Sequence, residues 1–156
     1  MKTLLSVIFC LVLLISCNQT AVDKPVQSQD PAPVAGQTFR DGVFIHVTEC
    51  YNDPHRVLMP FKMATGMADD KDVILYLDIH AVELVKNDAK DLTMEGFEPL
   101  SKYIEILLSK GVKIYACPTC MNVAGMKPED LREGILTANK EAFFNFTKGR
   151  ILTIDY

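Results

Sequence analysis

Cys117 and Cys120 are the residues of this 156-residue chain best placed to do covalent chemistry. They lie in the run Gly111-Val112-Lys113-Ile114-Tyr115-Ala116-Cys117-Pro118-Thr119-Cys120-Met121-Asn122-Val123-Ala124-Gly125. A thiol acts as nucleophile, redox group or metal ligand only as its thiolate, so what matters is whether its surroundings favour the anion. Pro118 has its φ fixed and no N–H to lose, which suits the first position of a helix and leaves Cys117 as the N-cap. There a sulfur faces unpaired N–H groups and the positive end of the helix dipole, so its pKa is expected below the free value of about 8.5. Cys120, three residues on, returns to the same helix face. The spacing therefore predicts Cys117 as the reactive thiol and Cys120 as its resolving or supporting neighbour. A structural pair of buried cysteines is the plain alternative. A structural zinc site normally needs a second Cys or His pair, and the chain has no other Cys-x-x-Cys and no His-x-x-x-His.

Such a pair needs a strand to deliver it and a helix to hold it. Val112, Ile114 and Ala116 alternate with Lys113 and Tyr115, the period of a strand, and Gly125 provides a left-handed helix stop. Further strands are expected at Gly42 to Thr48, Asp72 to Asp78, Gly134 to Thr137 and Arg150 to Ile154. Between them, Asp53 caps a helix that begins at Pro54. Its Leu58, Met59, Met63 and Met67 read as core, and Pro60 should kink it. Ala81 to Lys86 reads as a short helix. Gly96 to Lys110 reads as an amphipathic one, with Phe97, Leu100, Ile104, Leu107 and Leu108 inward and Gly111 as its stop. Ala138 to Phe146 is a last helix, closed by Gly149. Strands alternating with helices give an α/β domain, a three-layer α/β/α sandwich on a mainly parallel five-stranded sheet. Such sheets bind ligands beyond the carboxyl ends of their strands. By that rule Glu49, Cys50 and His80 should join Cys117 and Cys120 at one edge. His46, in mid-strand, reads as structural, and His55 as solvated at a helix start.

Composition narrows the class. Hydrophobic residues make up 49% of the chain and the net charge is −4, which fits a globular core. With no basic run, nucleic-acid binding is not expected. Residues 1–16 read as a signal peptide: Met1-Lys2 is followed by an apolar stretch from Leu4 to Ile15, too short to span a bilayer comfortably. Its end, Leu14-Ile15-Ser16-Cys17, resembles the bacterial lipobox. Cys17 would then carry the lipid and begin the mature protein; an uncleaved anchor or plain secretion are the alternatives. Residues 17–38, with Pro25, Pro31 and Pro33 among polar and small residues, read as a disordered tether reaching on the order of 25 Å. Residues 39–156 form the domain. The expected address is the cell envelope, lipid-anchored and periplasm-facing. Asn18, where an aspartate commonly retains lipoproteins in the inner membrane, favours the outer membrane.

The motif from Tyr115 to Gly125, followed by Asp130-Leu131, resembles the DsrE/DsrF-like family, in which a cysteine ends this strand eight positions before a glycine. Here these are Cys117 and Gly125, and the order of elements agrees from about Gly42 onward. The resemblance implies sulfur transfer through a persulfide on Cys117, with Cys120 as the second cysteine of a subgroup and no organic cofactor. It also implies homo-oligomers (trimers or hexamers), a sulfur donor, and an acceptor protein or small thiol. Ala124 stands where many relatives have a basic residue. Two other readings stay open. Cys-Pro-x-Cys at a helix start is also a glutaredoxin-like arrangement for thiol–disulfide exchange, and Cys50, His80, Cys117 and Cys120 would suit a soft tetrahedral site for zinc or Cu(I) in a scaffold role.

Overall fold

The computed structural model describes residues 38–156. The leader, Cys17 and all but the last residue of the tether lie outside these residues. Five strands, β1 (Gly42–Val47), β2 (Asp72–Leu77), β3 (Lys113–Ala116), β4 (Leu136–Thr137) and β5 (Ile151–Asp155), form one sheet in the order β4-β3-β2-β1-β5. Every neighbouring pair is parallel. The helices are α1 (Pro54–Met67), α2 (Leu100–Ser109), α3 (Pro118–Val123) and α4 (Lys140–Asn145), with short 3-10 turns at Ala81–Val85 and Pro128–Asp130. No helix of the described residues is long and apolar enough to cross a membrane.

The expected α/β sandwich is therefore present, and its layers differ in weight. Val43, Ile45 and Val47 of β1, Leu75 and Leu77 of β2, and Ile114 and Ala116 of β3 share one sheet face by strand alternation, and all are buried. Val57, Leu58, Phe61 and Ala64 of α1 and Leu100, Ile104 and Leu107 of α2 complete this core. On the opposite face Phe44 and Tyr76 take the ring of Phe143 from α4 edge-on, at centroid distances of 5.5 and 5.0 Å. That second layer is thin, and Phe144, Ile151 and Leu152 remain exposed around it.

Several details differ from the sequence reading. The Asp53 side chain does cap α1, accepting from the Arg56 N–H. The helix continues through Pro60 to Met67, and Met59, Met63 and Met67 lie at the margin of the core. The periodicity correctly found a buried face, but the register puts Val57 and Phe61 on it. The α2 helix begins at Leu100, because Pro99 disfavours helix before it. Leu108 and Phe97 are only partly buried. Gly149 does not close α4, which ends at Asn145; it sits where any side chain would run into the Arg40 carbonyl. Strand β4 shrinks to two residues, since Ile135 is already turned into the core by the Gly134 bend at φ +83°.

Candidate functional site

The β3-to-α3 junction holds Cys117 by its backbone. Its N–H donates to the Leu77 carbonyl at 2.8 Å, extending the β2–β3 ladder by one step, and its carbonyl accepts the Met121 N–H at 2.9 Å to start the helix. Gly125, at φ +68°, lets the chain leave α3 after one and a half turns, and the Met126 N–H closes back on the Met121 carbonyl. Met121 and Met126 are both buried, which pins the short helix to the domain.

Cys117 is only 9% exposed. Burial is the largest single influence on its thiol and pushes the pKa up. Against it act the Tyr76 hydroxyl, the Cys120 N–H and thiol, and the Thr119 N–H, and together they bring the pKa below its ordinary value. No donor meets the geometry of a formal cap hydrogen bond to the sulfur. With a helix this short, nearby donors rather than a macrodipole do the stabilising. Cys120 moves the other way: burial raises it first, then its hydrogen bond to Cys117, while the Ile79 N–H pulls it down. One thiol of the pair is thus tuned to ionise and the other to hold its proton.

Strand β2 supplies the rest of this site. Tyr76 pairs in register with His46 of β1 and Tyr115 of β3. Its own ionisation is pushed up steeply, by burial first and then by hydrogen bonding to Cys117, so it remains a neutral donor. The His46 ring stacks on Tyr76 at 5.6 Å. Its Nδ1 hydrogen-bonds the Asp155 carboxylate at 2.9 Å, and its Nε2 lies 2.9 Å from Asp78 Oδ1 in an approach too oblique for a hydrogen bond. Just beyond Asp78, Ile79 takes φ +49° and is the one non-glycine residue with positive φ among the described residues. For an L residue that conformation costs roughly 1–2 kcal/mol.

The five residues expected at the carboxyl edge fall into two groups. Cys117 and Cys120 stand with Tyr76, Asp78 and Ile79. Cys50 and His80 line a separate depression of about 340 Å³ with Tyr51, Asn52 and Glu83. Glu49 turns away to accept from the Asn52 amide at 2.8 Å and to face Arg56. Cys50 is buried, and burial raises its pKa, with Glu83 and Glu49 adding to the rise. Among the described residues no three His, Cys, Asp or Glu side chains gather to hold a metal ion. A larger cavity of about 540 Å³ opens at the amino ends of β2 and β3, under α4, far from the thiols along the strands and lined by Arg40, Lys113 and Asn139. Sequence reasoning missed Tyr76, Asp78 and Asp155. The available signal was one hydroxyl in the otherwise apolar run Val73 to Leu77, on the strand next to the thiols.

A model of the DsrE/DsrF-like family matches residues 41–147. Uncharacterized protein MJ0760 of Methanocaldococcus jannaschii is 27% identical over 121 residues, which cover 72% of this chain; the chain spans about two-fifths of that relative, 42%. Among solved structures, the ychN protein from E. coli superposes with a TM-score of 0.59 at 19% identity, over 73% of this chain and 99% of that one. The protein MTH1491 from Methanobacterium thermoautotrophicum superposes with a TM-score of 0.52 at 20% identity, over 74% and 99%. These likenesses support the fold.

Proposed function

The chain belongs to the DsrE/DsrF-like family, a family associated with sulfur relay, and on that premise we propose that Cys117 carries sulfane sulfur as a persulfide. The observation that carries this reading is a buried thiol whose pKa is nevertheless held down by donors from β2 and α3. With thiosulfate as donor, the Cys117 thiolate attacks the outer sulfur, an S–S bond forms, and sulfite leaves with the electron pair. The outer sulfur then passes to an acceptor thiolate, or Cys120 closes on Cys117 and expels it as hydrosulfide. Incubation with thiosulfate or polysulfide followed by intact mass measurement tests this. Wild type and Cys50→Ser should gain the mass of sulfur and Cys117→Ser should not. An equal gain in Cys117→Ser would end the reading.

The opposed pKa directions of Cys117 and Cys120 also favour thiol–disulfide exchange as a second reading. Insulin reduction at a rate comparable to a dithiol reductase would promote it over relay. The expected setting is part of the proposal: lipid on Cys17, a periplasm-facing domain, and partners that bring and accept sulfur there. Exposed Phe144, Ile151 and Leu152 support a homo-oligomer, trimer or hexamer, which light scattering on the purified chain would measure. Loss of detergent-phase partitioning in Cys17→Ser would support the anchor.

A further inference from the structure

The cavity of about 540 Å³ at the amino ends of β2 and β3 takes no part in the thiol chemistry, yet its walls are firmly built. Arg40 ties them together. Its guanidinium donates to the Ala68 and Lys71 carbonyls at 3.2 and 2.6 Å and lies 3.5 Å from the Asp72 carboxylate. Its carbonyl accepts from the Thr147 hydroxyl at 2.7 Å, which fastens the segment after α4 to the chain before β1. The roof is α4 itself, held to the sheet by the edge-on contacts of Phe143 with Phe44 and Tyr76. Asn139 caps that helix with its side-chain oxygen, accepting from the Ala142 N–H at 3.0 Å, which leaves its amide N–H groups for another acceptor.

Arg40, Lys71, Lys110 and Lys113 line this cavity against two carboxylates, Asp72 and Glu141. Arg40 answers Asp72, while Lys71 pairs with Asp70 and Lys110 with Asp69, the last at 2.6 Å. Those pairs make three of the cations parts of the wall. Among the described residues no ion pair or hydrogen bond occupies the Lys113 ammonium, the Tyr115 hydroxyl or the Asn145 side-chain amide. Val73, Val112 and the Phe146 ring add apolar surface to the same lining. We propose that this cavity binds a small organic anion, its carboxylate or phosphate head taken by Lys113 and the neutral donors and its body by the apolar lining. The volume fits, since pockets of roughly 300–1,000 Å³ hold small organic molecules. Hydrogen bonds from an ammonium group to an anion are charge-assisted and stronger than neutral ones. Neither cysteine takes part, so the site stands whether or not Cys117 carries sulfur.

Titrating the ¹⁵N-labelled full chain with phenyl phosphate and, separately, with benzoate tests this. The backbone amides of Lys113, Tyr115, Ala142 and Asn145 should shift saturably with at least one probe, with half-saturation at about 1 mM or below. Those of Cys117 and Cys120 should stay in place. The tighter probe names the head group. Inorganic phosphate and phenol should each bind at least about fivefold more weakly, because each lacks one half of the ligand. Shifts that never saturate, or inorganic phosphate or phenol binding as tightly as the larger probes, would overturn the proposal. Two exposed side chains then give the sign of the site. Lys113→Gln should weaken binding about fivefold through loss of a charge-assisted hydrogen bond. Glu141→Gln should tighten it about twofold, because a repelling carboxylate is gone. Neither side chain makes a hydrogen bond among the described residues, and unchanged amide shifts away from the cavity check that each variant is folded. A Lys113→Gln chain that binds as well as wild type overturns the proposal. So does a Glu141→Gln chain that binds less well, which would mark a site for a cation or zwitterion instead.

Discussion

Cys50 and Cys117 leave the same sheet edge, from β1 and β3, and are equally hidden, at 6% and 9% exposure. Their thiols are nevertheless driven in opposite directions, Cys50 up and Cys117 down. Burial leads the influences on both and raises both. The difference lies in what surrounds the sulfur. Cys50 has one backbone donor, from Tyr51, and two carboxylates, Glu83 and Glu49. Cys117 has a hydroxyl, a thiol and two backbone N–H groups. A strand end at the right edge does not by itself activate a cysteine; the neighbouring strand must bring donors to it.

The largest effect expected from this contrast is on alkylation. At pH 7, iodoacetamide should modify Cys117 at least about tenfold faster than Cys50, because the thiolate is the reacting form and the two pKa values straddle the ordinary one of about 8.5. Peptide mapping over a time course measures both sites in one sample. Equal rates would erase the distinction between the two strand ends.

Removing the main donor should narrow the gap. Tyr76→Phe keeps the ring that stacks on His46 and packs on Phe143, and loses only the hydroxyl. A hydrogen bond to a charged group is worth about 1.5–3 kcal/mol, less for a sulfur acceptor, so the Cys117 midpoint should rise by about one unit. Thiolate absorbance in the ultraviolet reads it directly. Cys50 should be untouched. A midpoint that stays put would transfer the role to the α3 amides.

How far the sequence revealed this follows from how far apart the contributing residues lie in the chain. Within Tyr115 to Gly125 the pattern is local, so strand, turn, N-cap and both thiols were legible, as was the parallel α/β order. Tyr76 is forty-one positions before Cys117, and its role depends on the parallel register that sets Tyr76 opposite Tyr115 and Leu77 opposite Ala116. His46 and Asp155 meet across the β1–β5 pairing, between residues 109 positions apart. The split between Cys50 and Cys117 was hidden for a related reason. Topology places both at one edge, whereas the loop path that turns Cys50 toward His80 and Glu83 is set by packing.

A smaller effect separates the two strand ends by strain. Ile79→Gly should raise stability by about 0.5–1 kcal/mol, relief of the left-handed penalty being partly cancelled by the greater freedom of glycine in the unfolded chain. No non-glycine residue of the Glu49 to Asn52 loop has positive φ, so no comparable gain is available beside Cys50. Urea midpoints compare the variants. A loss of stability in Ile79→Gly would mean that the isoleucine side chain makes contacts that matter.

The smallest expected effect is a difference in how stability depends on pH. Cys117 has its folded pKa below the unfolded value of about 8.5, so between the two the unfolded chain binds more protons and stability rises with pH. That contribution is complete above about 8.5 and is lost as pH falls through the folded value. Cys50 has its folded pKa above the unfolded one, so its contribution is complete below about 8.5 and drains away as pH rises through the folded value. Tyr76 also drains stability once the unfolded tyrosine ionises near pH 10, which sets the upper end of a clean window at about 9.5. Between pH 7 and 9.5, Cys117→Ser should therefore lose stability more steeply than wild type, and Cys50→Ser less steeply. Each difference should stay at or below about 1.4 kcal/mol, the equivalent of one pKa unit. Because the two substitutions must bend the curve in opposite directions, a shared change in slope would show that burial, and not the donors from β2, governs both thiols.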